Sequence, residues 1–111
     1  MYIVNKEQFM MLQEETVYSN YIPDVVDGLF IKNENSFNNN DFYYTNLVLE
    51  LDTENQNLML DMSENSNLKC NLHFDTSYRE GLFDKNSMYV IWEKEDIEGL
   101  INRLQKTLKG K

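Results

Sequence analysis

The stretch YTNLVLELDTENQNLMLDMSENSNLKCNLHF, Tyr44 to Phe74, carries the strongest periodic signal in the chain. Leu47, Leu49 and Leu51 alternate with Val48, Glu50 and Asp52, the period-2 pattern of a half-buried strand. Leu58, Leu60 and Met62 repeat it, as do Leu68, Cys70, Leu72 and Phe74. Folding the first pair of runs about Glu54-Asn55 sets Leu51 against Leu58, Leu49 against Leu60 and Leu47 against Met62, across a turn of a favoured hairpin length. Folding the second pair about Asn65 sets Leu60 against Cys70 and Leu58 against Leu72. On the outer face it sets Asp61 against Lys69, an opposite-charge cross-strand pair. One register satisfies both faces, so the pattern predicts a three-stranded meander over 44–52, 57–62 and 68–74.

Toward the C-terminus, Met88 to Trp92 is rich in β-formers and predicts a fourth, more buried strand. The connection from Asp75 to Ser87 contains Gly81 and several charges and reads as a long loop. Lys94 to Leu108 predicts a helix, because Ile97, Leu100, Ile101, Leu104 and Leu108 share one face. Glu95, Asp96 and Glu98 crowd its first turn and Arg103, Lys106 and Lys109 its last, the polarity that a helix dipole favours. Gly110 suits its stop. Toward the N-terminus, Lys6 to Tyr18 reads as an imperfect helix, Pro23 ends whatever precedes it, Gly28 to Lys32 reads as a short strand, and Asn33 to Asp41 is a polar loop. The whole predicts one acidic α+β domain over 1–111. It is an antiparallel β-meander of about four to five strands, with the C-terminal amphipathic helix packed on one face and its stripe on the sheet beside Trp92.

The chain has 111 residues, a length that fits one domain. Seven Tyr, six Phe and one Trp argue for a packed core rather than disorder. The 19 acidic and 10 basic residues give a net charge of −9, which repels nucleic acid and anionic membranes and favours basic partners. A single cysteine, Cys70, allows no intrachain disulfide and fits a reducing cytosol. The apolar run Met1 to Val4 is too short for a signal peptide's core, and no apolar run approaches the ~20 residues of a membrane helix.

The chemistry-bearing residues are few. His73 is the sole histidine, and strand alternation sets it on the face opposite Cys70, so the two form no thiolate–imidazole pair. Cys70 therefore reads as a small core residue. The same separation gives half of a zinc site with no second half. A calcium loop counted from Asp52 puts Asn57 where the glycine belongs and Ser63 where the bidentate glutamate belongs. Gly28, Gly81, Gly99 and Gly110 spell no phosphate loop. The expectation is accordingly no enzyme, no cofactor and no metal.

Charge distribution is the remaining feature. Glu7 to Glu64 holds twelve acids and one base, Lys32. The predicted partner-binding surface is Glu34, Asp41, Glu50, Asp52, Glu54, Asp61 and Glu64. The expected function is that of a non-enzymatic inhibitor or neutraliser of a basic protein surface, on a toxin or a nucleic-acid-handling enzyme. Size, acidity and a strand-rich body with a C-terminal helix are similar in general style to small bacterial immunity proteins and to phage-encoded anti-defence proteins, anti-CRISPRs among them. No motif carries that similarity, and it gives no residue a role. The competing reading is a structural or accessory subunit of a phage or mobile element whose acidity serves only solubility.

Overall fold

The computed structural model describes residues 1–48, 58–82 and 84–111, with the backbone alone at Leu58. It is an α+β structure in which a six-stranded antiparallel sheet carries three helices. The elements are β1 (Tyr2–Asn5), α1 (Lys6–Met10), β2 (Thr16–Ile22), β3 (Val25–Asn35), β4 (Phe42–Asn46), α2 (Leu58–Glu64), β5 (Ser77–Arg79), β6 (Met88–Ile91) and α3 (Lys94–Lys109). The sheet order is β1-β6-β2-β3-β4-β5. The expected strand at 88–92 is present as β6, seated between β1 and β2, and Tyr89, Val90 and Ile91 are all buried there.

Three expectations give way. Residues 58–62 lie in the helix α2, and Leu60 is 59% exposed. Residues 68–74 form no extended strand; Leu68, Leu72 and Phe74 are exposed. The expected Asp61–Lys69 strand pair is therefore not made, while 49–57, with Leu49, Leu51 and the first turn, lies outside the described residues. The physical reason is that a run as short as Leu58 to Met62 satisfies helix and strand periodicity equally well, and Asn65 to Asn67 break the chain just beyond. Second, the helix expected over 6–18 stops at Met10, after which Thr16 begins β2. Third, α3 forms at the expected place with Glu95 and Asp96 in its first turn and Lys106 and Lys109 in its last, yet it buries no residue.

The long central ladder was hidden in the first third of the sequence. β2 and β3 form a hairpin whose two turn residues are Pro23 and Asp24. Proline fixes the first turn position, and Asp24 takes the positive φ of 67° that the second requires. Further along, Tyr18 opposes Phe30 while Asn20 opposes Asp27, so β3 carries an extra residue at Gly28-Leu29. Gly28 has φ +76°, and a Cβ there would sit 2.5 Å from the Phe30 ring, so only glycine fits this bulge.

Phe9 is the centre of the core. Asn5 caps α1 reciprocally with Gln8: the Gln8 N–H donates to Asn5 Oδ1 at 2.8 Å and the Asn5 N–H to Gln8 Oε1 at 3.0 Å. That cap aims Phe9 onto the sheet, where it is fully buried against Tyr89 (ring centroids 4.0 Å apart), Tyr18 (4.8 Å) and Phe42 (4.8 Å). Two lysines edge the cluster. Lys6 Nζ lies 4.9 Å from the Phe42 ring centre and Lys32 Nζ 5.8 Å from that of Phe9, both within cation–π range. Lys32 donates to Asn35 Oδ1 at 2.8 Å, and burial lowers its pKa against the pull of Glu14 and Glu34.

Asp41 clamps the far side of the sheet. Its carboxylate is fully buried and accepts the Phe42 N–H (2.7 Å), the Gly81 N–H (2.9 Å) and the Arg79 Nε–H. Burial alone would raise its pKa, but the donors from Gly81, Arg79 and Phe42 outweigh it and hold the carboxyl below its usual range.

Two outcomes follow from this packing. Phe9→Ala should destabilise by about 3–5 kcal/mol, whereas Leu60→Ala should cost under about 1 kcal/mol, in urea melts of the two variants. Because the folded-state pKa of Asp41 is depressed, its stabilisation is complete above the unfolded value of about 3.9 and is lost as pH falls through the folded value. Asp41→Asn should therefore be less stable than the parent at pH 7, and the gap should narrow below pH 4; a gap independent of pH would refute the ionised clamp.

Candidate ligand-binding groove

Strand alternation brings a row of aromatic rings to the face that carries Phe9. β2 supplies Tyr18, β3 Phe30, β4 Phe42 and Tyr44, and β6 Tyr89. Helix α1 has only five residues, and its Phe9 covers the part of that row formed by Tyr18, Phe42 and Tyr89. Beyond it the row stays open. Phe30 stacks on Tyr18 at 5.3 Å and meets Tyr44 edge-on at 5.7 Å. The Tyr21-Ile22-Pro23 tip of the β2–β3 hairpin, with Glu80, Leu82, Asp84 and Asn86 to Met88, walls this area into a groove of about 690 Å³, within the size range of small-ligand sites. The groove is the continuation of the core past the point where the helix ends.

Among the described residues, every charged one lining the groove is acidic: Asp27 at the bulge, and Glu80 and Asp84 beyond β5. Asn20, Asn46, Asn86 and Ser87 add neutral polar groups. Lys6 stands outside, 3.5 Å from Glu80, and partly offsets that carboxylate. Burial dominates the two inner tyrosine hydroxyls. Burial pushes the Tyr89 hydroxyl up to about 12, and Glu80, Asp84 and Asp41 push the same way against a hydrogen bond from Ser87. Burial pushes Tyr18 up as well, with Tyr89, Tyr44 and Glu80 adding to it. Both phenols therefore stay protonated and keep an O–H to donate. Aromatic faces inside a ring of carboxylates attract ammonium and guanidinium groups by two additive routes, ion pairing and cation–π contact.

The described residues expected to bind a partner lie on different elements. Glu34 is exposed on β3, while Asp61 and Glu64 lie on α2, Asp61 half-buried and Glu64 exposed. Asp41 is removed from that surface altogether, since its carboxylate is buried and bonded to three donors of its own chain. Glu50, Asp52 and Glu54 fall outside the described residues. Among the described residues no three His, Cys, Asp or Glu side chains are grouped to hold a metal ion, and no helix is long and apolar enough to cross a membrane. Exposed His73 faces Thr76 Oγ1 at 3.3 Å, and Cys70 is half-buried.

The helix expected over 6–18 hides β2 and with it the groove. The available signal was the β-former run Thr16 to Ile22 followed by Pro23-Asp24, and then Phe42-Tyr43-Tyr44. Taken as strands, these put Tyr18, Phe30, Phe42 and Tyr44 on a common face. No family model, curated protein or solved structure matches this chain, so the groove's own chemistry is what bears on function.

Proposed function

We propose that the protein is a small non-enzymatic binding protein whose groove seats a basic segment of a partner protein. One observation supports this reading above the others: the half-buried rings of Phe30 and Tyr44 floor a groove whose charged lining, among the described residues, is negative. The net charge of −9 would add long-range steering toward a cationic surface and repel nucleic acid and anionic lipid. A protein that covers a basic surface competes with whatever anion that surface holds. The consequence of binding is then inhibition of a basic toxin or of a nucleic-acid-handling enzyme.

A Lys/Arg-rich peptide containing one Tyr, with an acidic peptide as control, is a suitable calorimetric probe. Any polyanionic protein attracts a polycation, so the test lies in the comparison with Asp27→Asn/Asp84→Asn. That double variant should bind the basic peptide about 2–30-fold more weakly at 0.1 M salt, the range expected from losing two exposed ion pairs of about 0.2–1 kcal/mol each. The difference should shrink at 1 M salt, where the Debye length is about 3 Å. Equal affinity in parent and double variant would discard the groove and leave the acidity to solubility.

A further inference from the structure

Helix α3 is a 16-residue element with an apolar stripe of Ile97, Leu100, Ile101, Leu104 and Leu108, and it buries none of them. Ile97 and Leu100 are half-buried near its base, but Ile101, Leu104 and Leu108 are 48%, 52% and 70% exposed. At 1.5 Å per residue the helix is about 24 Å long, and its outer half stands clear of the sheet. Its charges are sorted along its length. Glu93, Glu95, Asp96 and Glu98 outnumber Lys94 at the base, where Lys94 Nζ lies 3.8 Å from Glu98 Oε1, and Arg103, Lys106, Lys109 and Lys111 lie toward the tip.

We infer that α3 pairs antiparallel with α3 of a second copy of this chain. A two-fold axis between Asn102 and Arg103 sets Ile101 against Leu104 and Ile97 against Leu108 of the other helix, so the stripe is complementary to itself. The same arrangement lays the acidic base of each helix along the basic tip of the other, with Glu98 beside the turn that holds Lys106 and Lys109. A parallel pair would oppose acid to acid and base to base. The surroundings of the base fit as well. Leu12, Val17, Trp92 and Ile97 line a cleft of about 490 Å³ edged by Glu15, Glu93 and Glu95 together with one base, Lys94. Antiparallel pairing delivers Leu108 to its apolar wall and the Lys109 end of the partner helix to a rim where three acids face one base.

The experiment is sedimentation of the full chain from about 5 to 500 µM in 0.1 M salt. The two stripes and clefts make a small interface, so a monomer–dimer equilibrium with Kd in the micromolar range, about 1–100 µM, is expected. Leu104→Glu should raise Kd at least tenfold while leaving the thermal melt of the monomer unchanged, because Leu104 is half-exposed there. Lys109→Glu should raise Kd about threefold to tenfold, and adding Glu98→Lys to it should restore the parent value to within about twofold. Restoration distinguishes antiparallel from parallel pairing, where Glu98 and Lys109 never meet. A chain that stays monomeric throughout the range overturns the inference, as does a dimer indifferent to Leu104→Glu. Failure of the Glu98→Lys/Lys109→Glu double variant to recover overturns the antiparallel orientation. The groove residues take no part in this test.

Discussion

Burial of Phe9 among Tyr18, Phe42 and Tyr89 is the contact on which the architecture turns. Those three rings come from β2, β4 and β6, elements far apart in sequence, and one side chain from a short helix locks them together. Five helical residues have no stability of their own. Helix α1 persists because the Asn5–Gln8 capping box satisfies its first N–H groups and because Phe9 is driven out of water. The capping residues and the anchor therefore depend on each other. Lys6 and Lys32 complete the arrangement by laying cations against ring faces at the margin, where their aliphatic stems add apolar cover.

The groove is a direct consequence of that economy. A helix long enough to span the aromatic row would have closed it. Here the row outlasts the helix, and Phe30 and Tyr44 are left facing an open space whose charged lining, among the described residues, is acidic. The Gly28 bulge belongs to the same design, since the extra residue brings Asp27 and Phe30 to the same face of β3 despite a spacing of three. A regular strand would have sent one of them to the opposite side. Asp41 shows how misleading charge counting is by residue type alone. It is part of the acidic excess, yet it holds β4 to the segment beyond β5 and offers nothing to a partner.

Much of the outline was legible in the sequence, and the misreadings have physical causes. Strand β6 and helix α3 were evident because Met88 to Trp92 is unbroken β-former and because the α3 stripe recurs over three turns with sorted charges. The α+β class followed from those two alone. The meander failed at Leu58 to Met62, where five residues cannot distinguish a 2.0 from a 3.6 period, and agreement of a register with itself is no substitute for length. The packing of α3 failed for another reason: an apolar stripe specifies that a face will be covered, and not by what. The shared face of Tyr18 and Phe30 is hard to read because β2 and β3 alternate apolar with polar residues only loosely. Ser19, Asn20 and Lys32 occupy buried or half-buried positions where hydrophobes were sought. Trp92 accounts for one of these, as its indole N–H donates to Ser19 Oγ at 2.9 Å.

Where a cationic segment lands on the protein is the most direct measure of the account. Titrating the Lys/Arg-rich peptide into isotopically labelled protein and following backbone amide resonances maps the contact residue by residue. The groove predicts that the largest shifts fall on Asn20, Asp27, Tyr44 and Asp84, with Glu34, Asp61 and Glu64 little affected. Shifts concentrated on Glu34 and α2, or spread evenly over every acidic residue, would contradict it.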